Sequence, residues 1–264
     1  MKVTTRELKA NKAVLKIEDT DAYFVNSLRR VMLADLPKLA IEDVIIYDNT
    51  SPLFDEIIAH RLGMIPLPTD LKLLTFRDEC TCNGKGCPNC TVRYTLSKEG
   101  EGIVYSGDLQ PEEKSWAIKE DKIPIVELSK DHRIILEVEA ILGRGKDHAK
   151  WQAVQAPGYK YYPIIEIDQK KCNLCKKCVD ACPKNILEIK DKKLVVTDIE
   201  KCITCESCME ICENNAIIAR SDKNAFLFRF ETDGSLSAKE ALQESVSILE
   251  KKYKEFAKLL KKLK

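Results

Sequence analysis

Twelve cysteines fall into three groups of four, and none lies outside a group. Two of the groups, Cys172, Cys175, Cys178, Cys182 and Cys202, Cys205, Cys208, Cys212, share the spacing C-x2-C-x2-C-x3-C. Three closely spaced thiolates can grip one face of a cubane iron–sulfur cluster while the fourth ligand comes from the other run. The expected assignment is therefore crossed. One cluster takes Cys172, Cys175, Cys178 and Cys212; the other takes Cys182, Cys202, Cys205 and Cys208. Four-cysteine zinc sites also use C-x2-C pairs, but three cysteines in one short run, repeated, fit zinc poorly. Pro183 follows Cys182 and shapes the turn after the crossing cysteine, whereas Glu213 follows Cys212 and brings a charge toward the first site. Two [4Fe-4S] clusters are expected, with a [3Fe-4S] cluster or none left open at the first site.

The remaining group, Cys80, Cys82, Cys87 and Cys90, is spaced C-x-C-x4-C-x2-C. Gly84, Gly86 and Pro88 allow a tight knuckle in which four thiolates converge on a tetrahedral ion. Thiolate-only sites of this kind are usually structural zinc. Unligated thiols and redox disulfides are the alternatives. The sequence has no run of about 18 apolar residues, and its first residues lack the apolar stretch of a signal peptide. A cytoplasmic location is expected, where thiols stay reduced and metal binding is the economical use of so many cysteines.

The elements that must hold these groups can be read from periodicity. Ala13–Glu18 reads as a strand, followed by a helix with Thr20 as N-cap, Phe24, Leu28, Val31 and Met32 as its apolar stripe, and Pro37 as its stop. From residue 41 the pattern turns β-rich. Val92, Tyr94 and Leu96 alternate with polar residues, and Ile134, Leu136, Val138, Ala140 and Leu142 mark one face of a longer strand. After the proline- and glycine-bearing stretch 156–163, the segment beginning at Cys172 restarts thirty residues later at Cys202, a duplicated unit. The chain then returns to a strand over Phe226–Phe230 and a last helix. Ser237 and Glu240 form a capping box at its start. Leu242, Val246, Leu249, Tyr253, Phe256, Leu260 and Leu263 recur at alternating spacings of four and three, the seam by which one helix packs along another. An amphipathic helix lying on its own domain is the competing reading.

Other signals are weak. Net charge is +1 among 264 residues, so no global field draws in nucleic acid. The charged fraction of 32% is high and lysine- and glutamate-rich, a bias seen in heat-adapted proteins. The lysines from Lys251 to Lys264 read as a solvated helix end that also suits the helix dipole. Gly143–His148 lacks the third glycine and the lysine–hydroxyl pair of a phosphate loop, so a polar turn is expected. His60 and His132 have no neighbours suggesting metal or nucleophilic catalysis, and Asp55 and Glu56 are adjacent and would point apart.

Three segments carry a family resemblance: Phe24–Pro37 (FVNSLRRVMLADLP), Asn49–Pro68 (NTSPLFDEIIAHRLGMIPLP) and Gly143–Gln152 (GRGKDHAKWQ). Together they resemble the alpha family of RNA polymerase subunits and, given the ferredoxin-type insert, its archaeal D-type members. The resemblance implies an α+β fold in three parts. These are an alpha-like discontinuous dimerisation domain of residues 1–40 and 222–264, a β-rich domain of 41–163 with the zinc knuckle, and a ferredoxin-like domain of 164–221. It implies pairing with the small alpha-like subunit L (Rpo11), then docking of subunits N and P and the two large catalytic subunits, with DNA met only through the whole enzyme. Phe24, Leu28, Val31, Leu242, Val246, Leu249, Tyr253, Phe256 and Leu260 would form the L interface, and Arg29, Arg30 and the loop 143–151 would face the large subunits. Polymerase chemistry uses carboxylates holding magnesium ions. No clustered aspartate motif of that kind occurs, so a non-catalytic assembly platform is expected. A ferredoxin-type electron carrier or a redox sensor is the alternative.

Overall fold

The computed structural model describes residues 1–262, a mixed α and β chain. The chain folds as two compact units: residues 1–7, 14–26 and 158–229 make one, and residues 8–13, 27–157 and those from 230 onward make the other. No helix among the described residues is long and apolar enough to cross a membrane.

The first unit holds most of a four-stranded sheet ordered β1-β2-β12-β9, with β1 Lys2–Leu8, β2 Lys12–Glu18, β9 Val154–Ile167 and β12 Ile217–Thr232. Strand β1, which the periodicity did not predict, pairs with the expected strand β2. The proline- and glycine-bearing stretch 156–163 is part of β9. That strand lies at the sheet edge, where Pro157 and Pro163 do not interrupt a ladder on both sides. Phe226 and Phe228 on β12 are fully buried, and Tyr159 and Tyr161 of β9 lie against Phe226 with ring centroids 5.9 and 5.1 Å away. Since β9 and β12 are neighbours, the cysteine repeat is an excursion between two adjacent strands. The Asp168 amide donates to the Ala216 carbonyl at 2.8 Å and closes its base.

The second unit is built on the sheet β3-β8-β4-β6, with β3 Pro37–Asn49, β4 Thr91–Glu99, β6 Gln110–Pro111 and β8 Arg133–Arg144. Strand β8 pairs antiparallel with both β3 and β4, and its predicted face Ile134, Leu136, Val138, Ala140 and Leu142 is buried throughout. Helix α2 Asp55–Gly63 adds Ile58 and Leu62 to that core, and Asp55 and Glu56 occupy its first turn, where carboxylates suit the dipole. A two-stranded sheet of β5 Gly102–Tyr105 and β7 Pro124–Leu128 completes it.

Helix α1 spans Ala22–Ala34. Asp21, not Thr20, caps it, because the Asp21 carboxylate accepts from the Phe24 amide at 2.8 Å. Helix α5 spans Ala238–Leu260 and has the expected capping box: the Glu240 amide donates to Ser237 Oγ at 3.2 Å, and the Ser237 amide to Glu240 Oε2 at 3.0 Å. The glycines of the 143–152 segment serve close packing, not anion binding. A Cβ at Gly143 would sit 2.2 Å from the Trp151 ring, and one at Gly145 would sit 2.0 Å from the Leu33 carbonyl oxygen.

Candidate metal centres

In the Cys80–Cys90 knuckle the four sulfurs all lie within 4.8 Å of one another. Cys80 and Cys87 are 3.5 Å apart, Cys82 and Cys90 3.6 Å, Cys87 and Cys90 3.9 Å. A tetrahedral ion with metal–sulfur bonds of about 2.3 Å places its ligand sulfurs about 3.8 Å apart, so the set fits one small ion. Gly84 and Gly86, both at φ 79°, provide left-handed turns between the two cysteine pairs. Opposed by burial, hydrogen bonds from Cys80, Cys90 and the amides of Cys87 and Gly86 pull the Cys82 thiol down to about 6. Against the Asn89 amide, which lowers it, sharing protons with Cys80 and burial push Cys87 up to about 11. A metal bound here displaces those protons, so its affinity falls as pH falls.

The two repeat runs are built differently. Short helices α3 Lys177–Asp180 and α4 Ser207–Glu210 follow the first two cysteines of each run. The backbone repeats with the sequence: Leu174 and Thr204, Lys176 and Glu206, and Asn185 and Asn215 are matched pairs thirty residues apart, all at positive φ. Residues other than glycine adopt that conformation rarely, and alternation with right-handed residues turns successive amides inward to make a concavity suited to an anionic cluster. Cys172, Cys175, Cys178 and Cys212 line one cavity of about 390 Å³, part of it open to solvent, together with Ile189 and Ile217. Cys182, Cys202, Cys205 and Cys208 line a second of about 350 Å³, with Ile165 and Ile186. Among the described residues neither set has the close sulfur spacing of the knuckle. Neither set is drawn together around a single ion as the knuckle is, and each set of four faces a space of its own.

Amides already point at two of the sulfurs: Thr204 donates to Cys202 Sγ at 3.4 Å and Ala216 to Cys212 Sγ at 3.3 Å. Burial pushes the Cys208 thiol up to about 11 and raises Cys178, while the Ser207 side chain lowers Cys205. Glu213, which follows Cys212 where Pro183 follows Cys182, is met by Lys177 at 2.5 Å, and that bond lowers the Glu213 carboxyl.

Comparison with known proteins places this architecture. A family model described as RNA polymerase Rpb3/RpoA insert domain matches residues 44–169, and one described as 4Fe-4S dicluster domain matches 164–213. A DNA-directed RNA polymerase subunit Rpo3 from Methanosphaera stadtmanae is 43% identical over 259 residues, covering 96% of both chains. Rpo3 from Methanothermobacter thermautotrophicus is 42% identical over 255 residues, again 96% of both. Rpo3 from Methanosarcina acetivorans is 41% identical over 266 residues, 100% of this chain and 99% of the relative. The chain belongs to the Rpo3 family of DNA-directed RNA polymerase subunits. As an Rpo3-family member it is a polymerase subunit whose partners are other polymerase subunits, and it carries an iron–sulfur domain.

The expected interface residues divide sharply in this Rpo3-family chain. Leu28, Val31 and Leu249 are buried in the chain's own core, while Phe24 and Leu242 are half-buried. Val246, Tyr253, Phe256 and Leu260 are exposed at 45, 58, 59 and 49%. Leu263 lies outside the described residues. Leu259, off the heptad seam, is equally exposed at 59%. Sequence reasoning also missed Lys160, which binds the turn before Cys202, and the buried pair Lys38–Asp233. Their partners are distant in sequence, so no local pattern announces either.

Proposed function

We propose that this subunit is a non-catalytic assembly platform of the polymerase, pairing through α5 with the small alpha-like subunit L and then docking subunits N and P and the two large subunits, in the cytoplasm. The observation that carries the reading is the exposed apolar face Val246, Tyr253, Phe256 and Leu260, too contiguous for a solitary surface helix. The knuckle cysteines hold one zinc ion, favoured by their all-thiolate set and close sulfurs. Two cubane clusters sit in the paired cavities on the crossed ligand sets, and their main work is to staple the segment that carries them. Nucleotide addition is redox-neutral, which gives an electron relay no substrate.

The test is co-expression with subunit L. Tyr253→Asp with Phe256→Asp is expected to abolish the heterodimer in size-exclusion chromatography while leaving the helical circular dichroism of this chain intact. Leu249 is unsuitable for that purpose, because a charge there breaks the chain's own core. Normal pairing by the double variant would sink the interface assignment.

A further inference from the structure

The two cluster cavities are alike in ligands and backbone but differ in the charge placed around them. At the second, Lys160 of β9 reaches the turn Ile199–Lys201 that leads into Cys202. Its ammonium donates to the Glu200 carbonyl at 2.5 Å and to the carbonyl of Cys202 itself at 2.7 Å. Neither acceptor is a carboxylate, and the nearby Glu200 side chain is taken by Arg6 at 2.7 Å, with Tyr162 at 3.4 Å. At the first cavity the lining lysines, Lys176 and Lys177, are both exposed to solvent, and Lys177 is paired with the exposed Glu213. Among the described residues no lysine or arginine makes a matching pair of bonds to the backbone of that run.

We propose that Lys160 is the positioning residue of the second cluster site, and that its half-buried charge makes the cluster on Cys182, Cys202, Cys205 and Cys208 the more readily reduced of the two. The inference rests on the reading that both cavities hold clusters. Two bonds from one ammonium to carbonyls two residues apart lock the turn, and the turn sets where Cys202 points. Reduction adds one negative charge to the cluster. A half-buried cation beside a ligand's own carbonyl stabilises that added charge, whereas an exposed cation is screened. The sheet therefore acts on the cluster through Lys160, and the first cluster has no such support.

Full-length protein, reconstituted anaerobically with iron and sulfide, tests this in four forms: unmutated, K160M, K160R and K177M. Each is also made with C175S, so that the second site is the only one with all four thiolates. Iron and sulfide content give loading, and electron paramagnetic resonance during dithionite titration gives the midpoints. The second-site midpoint is expected to lie above the first, to fall in K160M, to hold in K160R and to be unmoved in K177M. Loss of one cluster's iron in K160M, restored in K160R, equally supports positioning by the cation. The proposal is overturned by K160M that keeps both clusters with both midpoints unchanged, by K160R behaving as K160M, or by a second-site midpoint below the first. Unmutated protein that holds zinc and no sulfide would overturn the cluster reading itself, a result no Lys160 variant can produce.

Discussion

The β3-β8-β4-β6 sheet and the iron–sulfur segment bury side chains on very different scales. Around the sheet lies one apolar core that includes Leu39, Ile41, Ile58, Leu62, Tyr94, Leu136 and Val138, all nearly inaccessible to solvent. Around the cavities the buried set is Ile186, Leu187, Leu194, Ile217 and Ala219 plus two cysteines, Cys202 and Cys208. Short chains bury too small a share of their surface to be stable without cross-links or metal. Where the sheet has hydrocarbon, the excursion from Asp168 to Ala216 has thiols that the proposed clusters would tie together. The difference supports the proposed staple role: Cys202 and Cys208 stand in core positions, and ligation would supply folding energy to that segment.

The largest expected effect breaks the comparison outright. Stripping iron by oxygen or chelator should abolish hydrogen-exchange protection in Leu187–Lys190 and Lys193–Val196, while β4 and β8 keep theirs. Equal loss in both regions would mean that the clusters support the whole molecule. A deletion sharpens the same point. Because Asp168 and Ala216 are hydrogen-bonded to one another, removing 169–215 and joining the ends with a short glycine linker should leave pairing with subunit L intact. Cutting at 164 and 221 would instead take away Ile165, Ile167, Ile217 and Ala219, the ends of β9 and β12 that pack on this core.

A smaller effect is confined to the other region. Lys38 at the start of β3 is 3% exposed and paired with Asp233, whose other oxygen accepts from the Ser235 amide at 3.0 Å. Removing one member of such a buried pair strands the other charge and costs about 3–5 kcal/mol. Lys38→Met should lower the thermal midpoint of the β-rich region by that measure without changing iron or sulfide content. A midpoint shift accompanied by cluster loss would show that the two regions fold as one.

The smallest effect lies at the α5 terminus, outside both. Ser237→Ala removes the cap and should cost about 1 kcal/mol in thermal unfolding at neutral pH. Ser237 hydrogen bonds hold the Glu240 carboxyl below its ordinary range. A depressed folded-state value contributes stability above the unfolded carboxylate range of about 4.3, lost as pH falls through the folded value. The difference between wild type and Ser237→Ala should therefore narrow on acidification below about pH 4. A gap that is constant down to pH 2 would remove Glu240 from the account.

Much of this protein was determined by spacing along the chain alone. The thirty-residue cysteine repeat reappears as matched left-handed residues, the β8 alternation as a buried face, and Ser237-x-x-Glu240 as a formed capping box. Each depends on neighbours within a turn or a strand, where local geometry follows from residue order. Tertiary structure decided the rest. It alone placed Leu28, Val31 and Leu249 inside the core and left Tyr253 and Phe256 outside it, though all five share helical periodicity. It put Pro163 in an edge strand, turned Gly143 into a seat for Trp151, and carried Lys160 across forty-two residues to the Cys202 carbonyl. Burial and such contacts are set by which distant segment arrives at a surface, and no window of local sequence contains that segment.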